Sequence, residues 1–242
     1  MQPENMENQP KPSLMEKLSL PIAIVIAGAL IAFSLYYSNE KSSQYVKNPL
    51  PDNSAPSINV RAVSADDHII GNPNADVIVV EYSDTECPFC KQFHSTMRRI
   101  IEEYGKSGKV AWVYRHFPID QLHSKARQEA EALECANELG GSAKFWEYTN
   151  LLYDTTTSNN SLDPAELPKM AKKVGLDVNA FNTCLSSGKY KDKVDADYQE
   201  IVKSGGRGTP TSILVMKDGT KETIPGALPY DQMKLVIDAA LK

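Results

Sequence analysis

The longest hydrophobic run of the chain lies near its N-terminus. Residues 18–37 are 20 consecutive residues without a charged side chain. As an α-helix at about 1.5 Å per residue they would measure roughly 30 Å, which matches the hydrocarbon core of a bilayer. The pattern predicts a transmembrane anchor behind a short cytoplasmic tail, residues 1–17. A cleaved signal peptide is the alternative, although residues 35–38 form a poor cleavage site.

A polar segment separates this run from the rest of the chain. Residues 38–57 are rich in Ser, Asn and Pro and have no apolar periodicity. Such a composition predicts a flexible tether. From residue 58 onward apolar positions recur with the periods of strands and helices, so residues 58–242 are predicted to form one folded domain.

Within this domain short β-branched runs alternate with longer helical stretches. The predicted strands are residues 77–82, 110–114, 212–216 and 222–224. The predicted helices are one from Cys87 to Gly105, one at 124–139 that stops at Gly140, one through Phe145 and Leu152, two capped by Asp163 and Asp177, and one at 230–241. This order predicts an α/β domain whose sheet carries a helical insertion at about residues 120–205.

The charge balance excludes one class of partner. The chain has 26 Lys and Arg against 31 Asp and Glu, a net charge of −5, and no block of basic residues. A nucleic-acid partner is therefore not predicted. Near the apolar run, Lys11 and Lys17 precede it and Lys41 and Lys47 follow it. Charge alone does not orient the anchor, because these counts are equal.

The tetrapeptide Cys87-Pro88-Phe89-Cys90 lies where a predicted strand gives way to a helix. Pro88 suits the first helical position, where no backbone N–H is needed. Cys87 then occupies the N-cap, where free N–H groups and the helix dipole stabilise a thiolate. Cys90 lies within the first turn, close enough to form a disulfide with Cys87. The spacing predicts a redox-active pair that exchanges disulfides.

Three other interpretations of the pair are a zinc site, a haem attachment site and a structural disulfide. A zinc site has His94 as its nearest further ligand and lacks a fourth at the usual spacing. Attachment of a c-type haem requires a His after the second Cys, where this chain has Lys91. An inert structural disulfide is possible, but it places no demand on Pro88 or on a strand end. We therefore predict no metal at this site.

Two further residues extend the predicted site. Glu81 stands six residues before Cys87 inside an otherwise apolar strand. A carboxyl group there should have a raised pKa and exchange a proton with Cys90, whereas the alternative is an edge-strand or ion-paired acid. Pro210 directly precedes a predicted strand. A proline at this position indicates a structural role such as a cis peptide bond. The alternative is an ordinary turn with a trans peptide bond.

Several stretches together resemble a known family. They are Asp-His-Ile-Ile-Gly at 67–71, Glu-Tyr-Ser-Asp-Thr-Glu-Cys-Pro-Phe-Cys at 81–90, Tyr-Arg-His-Phe-Pro at 114–118, Gly-Thr-Pro-Thr at 208–211, and His123 with the Ala-rich helix that follows it. Residues from about 66 to 241 resemble the DsbA-type thiol-disulfide oxidoreductases. The resemblance implies a thioredoxin-like central sheet with a helical insertion.

The resemblance also implies roles for individual residues and no cofactor besides the protein's own disulfide. The implied catalytic residues are Cys87 as nucleophile, Cys90 as resolving thiol, Glu81 as buried acid and Pro210 as the cis-proline facing the disulfide. The implied substrate-binding residues are Thr209, through its backbone, together with Pro88 and Phe89.

One residue departs from the family pattern. Strong oxidants of this family carry a His between the two cysteines, where this chain has Phe89. A Phe side chain cannot donate a hydrogen bond to a thiolate, so a less acidic Cys87 and a less oxidising disulfide are expected. Each ~30 mV of potential corresponds to about 1.4 kcal/mol.

The remaining cysteines, Cys135 and Cys184, each lie in a predicted helix of the insertion and lack the C-x-x-C spacing. The resemblance implies a structural disulfide between them, and two free buried thiols are the alternative. Disulfides persist in oxidising compartments. We therefore expect a single-pass protein of the cell membrane whose domain faces the extracytoplasmic side.

These expectations favour a membrane-tethered oxidase. Its implied partners are unfolded or reduced secreted proteins and a quinone-linked membrane reoxidase, either DsbB-like or similar to vitamin K epoxide reductase. A disulfide reductase or isomerase is the alternative within catalysis. A non-catalytic peptide-binding or chaperone module is the alternative from another class, although such a module needs neither thiol.

Overall fold

A single five-stranded sheet organises the domain. The computed structural model describes Phe33 and residues 60–242. The strands are β1 His68–Gly71, β2 Val77–Ser83, β3 Val110–His116, β4 Thr211–Met216 and β5 Lys221–Ile224. Their order across the sheet is β1-β3-β2-β4-β5, with β2 parallel to β3 and every other neighbouring pair antiparallel. The predicted strands are confirmed, whereas β1 was not predicted as a strand.

Strand β2 lies at the centre of this sheet, and its side chains contribute to two hydrophobic cores. All seven of its residues are buried. Because side chains alternate along a strand, Val77 and Val79 pack into one core while Ile78 and Val80 pack into the other. By the same alternation Glu81 belongs to the face of Val77 and Val79.

The part of the chain that the structure describes contains six α-helices. They are α1 Pro88–Tyr104, α2 Ala126–Thr155, α3 Glu166–Lys173, α4 Val178–Ser187, α5 Lys191–Lys203 and α6 Tyr230–Ala240, and a short 3₁₀ helix Gly105–Ser107 follows α1. Helices α2 to α5 all lie between β3 and β4 along the chain, so the predicted helical insertion is confirmed.

Helix α2 consists of two helical segments. Gly141 interrupts it with φ 69° and ψ −170°, a conformation outside the α-helical region. The predicted end of a helix at Gly140 and Gly141 therefore corresponds to a break within α2.

Of the two predicted helix caps, Asp177 is present in the structure and Asp163 is not. Asp177 caps α4 by accepting a hydrogen bond from the Ala180 N–H at 2.7 Å, as predicted. Helix α3 begins at Glu166, later than expected for a helix capped by Asp163. Asp163 instead accepts from the Ala165 N–H at 2.9 Å and stabilises the turn before α3.

Cys135 and Cys184 form a disulfide that joins α2 to α4 across 49 residues of sequence. This confirms the pairing that the resemblance implied. Both residues belong to the larger core, next to Ala136 and Phe181. The bond therefore ties the helical insertion together internally and leaves the C-x-x-C pair separate.

The predicted anchor, residues 18–37, and tether, residues 38–57, lie outside the described residues except for Phe33. Among the described residues no helix is both long enough and apolar enough to cross a membrane.

Candidate active site

Cys87 marks the point where the chain leaves β2 and enters α1. It is the N-cap of α1, with an extended backbone at φ −79° and ψ 124°, and Pro88 is the first residue of the helix. The Cys87 N–H donates to the Asp84 carbonyl at 3.1 Å, which fixes the intervening turn. The predicted position at a strand end and a helix N-terminus is confirmed.

Both thiols of the C-x-x-C pair are reduced and differ in accessibility. Cys87 has a relative exposure of 5% and Cys90 of 0%. Cys87 is therefore the more accessible of the two residues, although it is largely buried.

The environments of the two sulfurs move their pKa values in opposite directions. A hydrogen bond from the Cys90 thiol, assisted by the backbone N–H groups of Cys90 and Phe89, lowers the pKa of Cys87 to about 6 although burial opposes the shift. Burial, followed by its hydrogen bond to Cys87, raises the pKa of Cys90 above that of an ordinary thiol. The pair therefore holds one thiolate, and Cys87 carries it.

The lowered pKa of Cys87 is relevant to Phe89, which stands where strong oxidants of the resembled family carry a His. The Phe89 side chain makes no polar contact, but its backbone N–H contributes to the shift. The pKa of Cys87 is lowered without a polar side chain at position 89, and the expectation of a less acidic Cys87 than in family members with a His there stays a prediction. The helix N-terminus and Cys90 supply stabilisation that does not depend on the side chain between the cysteines.

Glu81 lies on the central strand and is completely buried. Ser83 Oγ donates to its Oε1 at 2.6 Å, and Trp112 Nε1 donates to its Oε2 at 2.9 Å. Burial raises the pKa of Glu81 to about 7, although both hydrogen bonds act against the shift. The predicted raised pKa is confirmed, and the edge-strand alternative is excluded because β2 lies between β3 and β4.

Pro210 and Thr209 bring a second segment to the thiols. The Thr209–Pro210 peptide bond is cis, as expected. The Thr209 carbonyl oxygen lies 3.4 Å from Cys87 Sγ. The loop before β4 therefore presents backbone to the reactive sulfur.

A cleft of about 370 Å³ opens beside Cys87. It is lined by Cys87, Pro88, Phe89, Ile119, Leu122, His123, Asn159, Arg207, Gly208 and Thr209. Phe89 is 62% exposed and Leu122 is 66% exposed, an unusual degree for large apolar side chains. All three predicted substrate-binding residues line this cleft.

Asp84 is a site residue that the sequence did not single out. Its N–H donates to Cys90 Sγ at 3.4 Å, and its carboxylate accepts from the Glu86 N–H at 2.8 Å and the Ile119 N–H at 2.7 Å. His123 Nδ1 lies 2.9 Å from the same carboxylate. Burial raises the pKa of Asp84. The sequence signals were its position directly after the central strand and within the stretch 81–90. Its contacts with Ile119 and His123 span 35 and 39 positions and gave no signal.

One cluster among the described residues has the composition of a metal site. His68, His116 and Glu134 place ligand atoms within 4.8 Å of one another. However, both Nε2 atoms hydrogen-bond Glu134 Oε1 at 2.7 and 2.8 Å, and the Lys193 ammonium lies 3.1 Å from Glu134 Oε2. The buried Glu134 carboxylate therefore already has two hydrogen-bond partners and one ion-pair partner. We therefore assign no ion to it.

His94, the ligand considered for zinc, is also accounted for. Its Nε2 lies 2.7 Å from Asn150 Oδ1, and its ring contacts Trp112 and Tyr153. Burial lowers the pKa of His94 to about 4. It acts as a neutral core residue, and the prediction of no metal beside Cys87 stays a prediction.

Comparison with known families gives a match over most of the chain. The model of a family described as thioredoxin matches residues 64–239. The chain belongs to this thioredoxin family. The match begins just before β1 and ends within α6, so it includes the sheet, the thiol pair and the helical insertion.

Solved structures of DsbA-type members have the same fold. DsbA2 of Pseudomonas aeruginosa is 24% identical with a TM-score of 0.62, covering 74% of this chain and 96% of that one. Wolbachia pipientis α-DsbA1 is 23% identical with a TM-score of 0.66, covering 76% and 96%. BdbD of Bacillus subtilis is 24% identical with a TM-score of 0.62, covering 72% and 92%. The resemblance to a DsbA-type thioredoxin fold is thereby confirmed.

Curated relatives with higher identity are much longer proteins. The Na⁺/H⁺ antiporter NhaA 3 of Salinispora tropica is 35% identical over 145 residues, 60% of this chain. The Na⁺/H⁺ antiporter NhaA 1 of Mycolicibacterium gilvum is 28% identical over 190 residues, 77% of this chain. The chain spans only 21% and 29% of their lengths, so the similarity concerns one segment of each antiporter.

Proposed function

We propose that the protein is a membrane-anchored thiol-disulfide oxidoreductase that donates a Cys87–Cys90 disulfide to reduced secreted or extracytoplasmic proteins. One observation carries the proposal. The Cys87 sulfur sits at the N-terminus of α1, beside the Thr209 carbonyl and at the base of a cleft with exposed Phe89 and Leu122. A reactive sulfur, a backbone docking edge and an apolar wall are what exchange with an unfolded peptide requires.

The first step joins the substrate to Cys87. A substrate thiolate attacks Cys87 Sγ in the disulfide form, a substrate–Cys87 bond forms, and the Cys87–Cys90 bond breaks with its electron pair on Cys90. Cys90 has a raised pKa and therefore takes up a proton. Glu81, whose pKa of about 7 lets it hold or release a proton near neutrality, is the acid we assign to this transfer.

The second step releases the oxidised substrate. A second substrate thiolate attacks the substrate sulfur of the mixed disulfide, and Cys87 leaves as a thiolate. A leaving thiol with a lowered pKa departs faster, and its stabilisation favours the reduced enzyme. The lowered pKa of Cys87 therefore supports net oxidation over reduction.

The location and the partners belong to the same proposal. The Cys135–Cys184 disulfide supports an oxidising, extracytoplasmic setting for the domain. We assign residues 18–37 as the anchor and residues 38–57 as the tether, which would keep the domain near the membrane. A quinone-linked membrane reoxidase, DsbB-like or similar to vitamin K epoxide reductase, would then regenerate the disulfide. No cofactor besides the disulfide takes part.

The redox equilibrium of the pair with glutathione tests the direction of the reaction. A potential above roughly −180 mV supports an oxidase, and a value near −270 mV would instead assign a reductase. Transfer of the disulfide to a reduced, unfolded protein, followed by acid quenching and thiol counting, tests the activity itself. An oxidised protein that leaves substrate thiols free would overturn the proposal.

A further inference from the structure

His123 is the ionisable side chain of the cleft that the proposed reaction does not yet use. It is almost completely buried, lies in the loop before α2 and lines the same cleft as Cys87. Its backbone is held on both sides, because its N–H donates to the Ile119 carbonyl at 2.9 Å and its carbonyl accepts from the Ala126 N–H at 3.1 Å. The imidazole is therefore presented to the cleft by a fixed loop.

Asp84 determines which nitrogen of the ring carries the proton. The carboxylate Oδ2 lies 2.9 Å from His123 Nδ1 and can only accept, so Nδ1 donates. The neutral ring then has its lone pair on Nε2. Among the described residues, the hydrogen bond of the His123 ring is the one through Nδ1 to Asp84, and none is formed through Nε2. A histidine oriented by a buried carboxylate, with its second nitrogen free of hydrogen bonds and in the same cleft as a reactive sulfur, has the arrangement of a general base.

The proposed reaction has a proton that needs such an acceptor. An ordinary substrate thiol has a pKa of about 8.5, so only about 3% of it is thiolate at pH 7. Glu81 cannot remove this proton, since it lies fully buried on the side of Cys90. The incoming thiol enters the cleft that His123 lines.

We propose that His123, oriented by Asp84, is the catalytic base that deprotonates the substrate thiol as it attacks Cys87. This role rests on the proposed function. The S–H proton moves to Nε2, the new thiolate forms the bond to Cys87 Sγ, and the Cys87–Cys90 bond breaks with its electrons on Cys90. The imidazolium returns its proton to solvent after the substrate disulfide leaves.

Arg207 is the charged side chain of the cleft, and it offers a competing explanation. A guanidinium takes no proton, but its charge lowers the pKa of a nearby thiol and therefore also favours a thiol that arrives protonated. A base likewise matters only for thiols that arrive protonated. Substitution of each residue in turn separates them, because the selective loss follows the residue that acts on the thiol.

The test compares two small peptides that differ only in their thiol, one alkyl and one aromatic with a pKa well below 7. His123→Asn is the informative variant, because its side-chain amide can still donate to Asp84 while no base remains. At pH 7, single-turnover oxidation of the alkyl thiol should slow by about 10-fold, within the roughly 30-fold limit set by its ionised fraction. Oxidation of the aromatic thiol should change less than two-fold.

Three outcomes would overturn the role of His123. They are an equal loss for both thiols, which indicates a structural effect, no loss for either thiol, and a selective loss in Arg207→Gln that is absent in His123→Asn. Asp84→Asn should reproduce the selective loss, since an amide that can both donate and accept no longer fixes the tautomer of the ring. Urea midpoints of the variants establish folding. A wild type that oxidises neither thiol would overturn the proposed function itself.

Discussion

Ser83 donates a hydrogen bond to the carboxyl group of Glu81 at 2.6 Å, and both side chains are buried. The Ser83 hydroxyl also lies 2.9 Å from Tyr153 OH. This contact favours the ionised carboxylate, so it limits how far burial raises the pKa of Glu81. The two residues are separated by one position on β2, and the pair therefore depends on the register of a single strand.

Ser83→Ala should move the pKa of Glu81 above its value of about 7, because one of two hydrogen bonds to the charged form is lost. Infrared absorption of the buried carboxyl group, titrated between pH 5 and 9, measures the shift. The Ser83→Thr variant keeps the hydroxyl and serves as control. An unchanged titration midpoint in Ser83→Ala would show that burial alone sets this pKa.

Glu81→Gln should alter the pH dependence of stability in a defined direction. The folded pKa of about 7 lies above the ordinary value of 4.5, so folded Glu81 retains a proton that unfolded Glu81 releases between these values. The contribution of Glu81 is fully present below pH 4.5 and is lost as the pH rises through 7. Relative to the variant, the reduced wild type should lose about 3 kcal/mol over this window. Urea unfolding of both proteins at pH 5 and pH 8 measures the difference, and parallel curves would contradict the assignment.

Removal of the Cys135–Cys184 disulfide should lower stability and leave exchange chemistry nearly intact. The bond closes a loop with a sequence separation of 49 between α2 and α4. In the chain-entropy description such a bridge stabilises by about 4 kcal/mol, less any strain. The double Ala variant should therefore unfold at lower urea while each folded molecule oxidises substrate at the wild-type rate. A loss of activity without a loss of stability would give the bond a catalytic role.

The two thiols of the active site should trap substrates unequally. Cys90→Ala should accumulate mixed disulfides on Cys87, and Cys87→Ala should accumulate few, because Cys90 is fully buried. In the reduced protein, alkylation of Cys87 by iodoacetamide should follow an ionisation with a pKa of about 6. Mass spectrometry of the trapped and alkylated peptides identifies the reacting sulfur. Mixed disulfides on Cys90 would reverse the proposed order of attack.

The N-terminal segment should hold the protein in a membrane with its domain outside. Deletion of residues 1–37 should release a soluble, redox-active domain. For the full-length protein, a protease that cannot cross membranes should digest the domain in cells with an intact inner membrane. A cytoplasmic marker protein serves as control for leakage, and protection of both proteins would reverse the topology.

The local parts of the site could be predicted from the sequence. The C-x-x-C pair, the N-cap position of Cys87 and the place of Glu81 depend on residues that are neighbours along one strand and the helix after it. Period-two alternation alone places Glu81 on the face of Val77 and Val79, whose core includes Cys90. These features need no knowledge of the tertiary structure.

The remaining parts depend on contacts between distant segments. Strand β1 pairs with β3, which is distant in the sequence, whereas the equally short β5 directly follows its partner β4 after a turn. No local turn therefore marked β1 as a strand. Leu122 and Thr209 line the cleft beside Cys87 although both are distant from it in the sequence. His123 entered only through the resemblance, and its contact with Asp84 spans 39 positions of sequence.

Asp84 couples the buried half of the active site to the surface that meets the substrate. Its backbone contacts both cysteines, since its N–H reaches Cys90 Sγ and its carbonyl accepts from the Cys87 N–H. Its carboxylate holds Ile119 and His123 in the cleft wall. A substitution elsewhere in the wall can therefore change which peptides fit while the spacing between sulfur and wall stays constant. The residues that select the peptide can therefore vary in this fold while the arrangement of the two cysteines is kept.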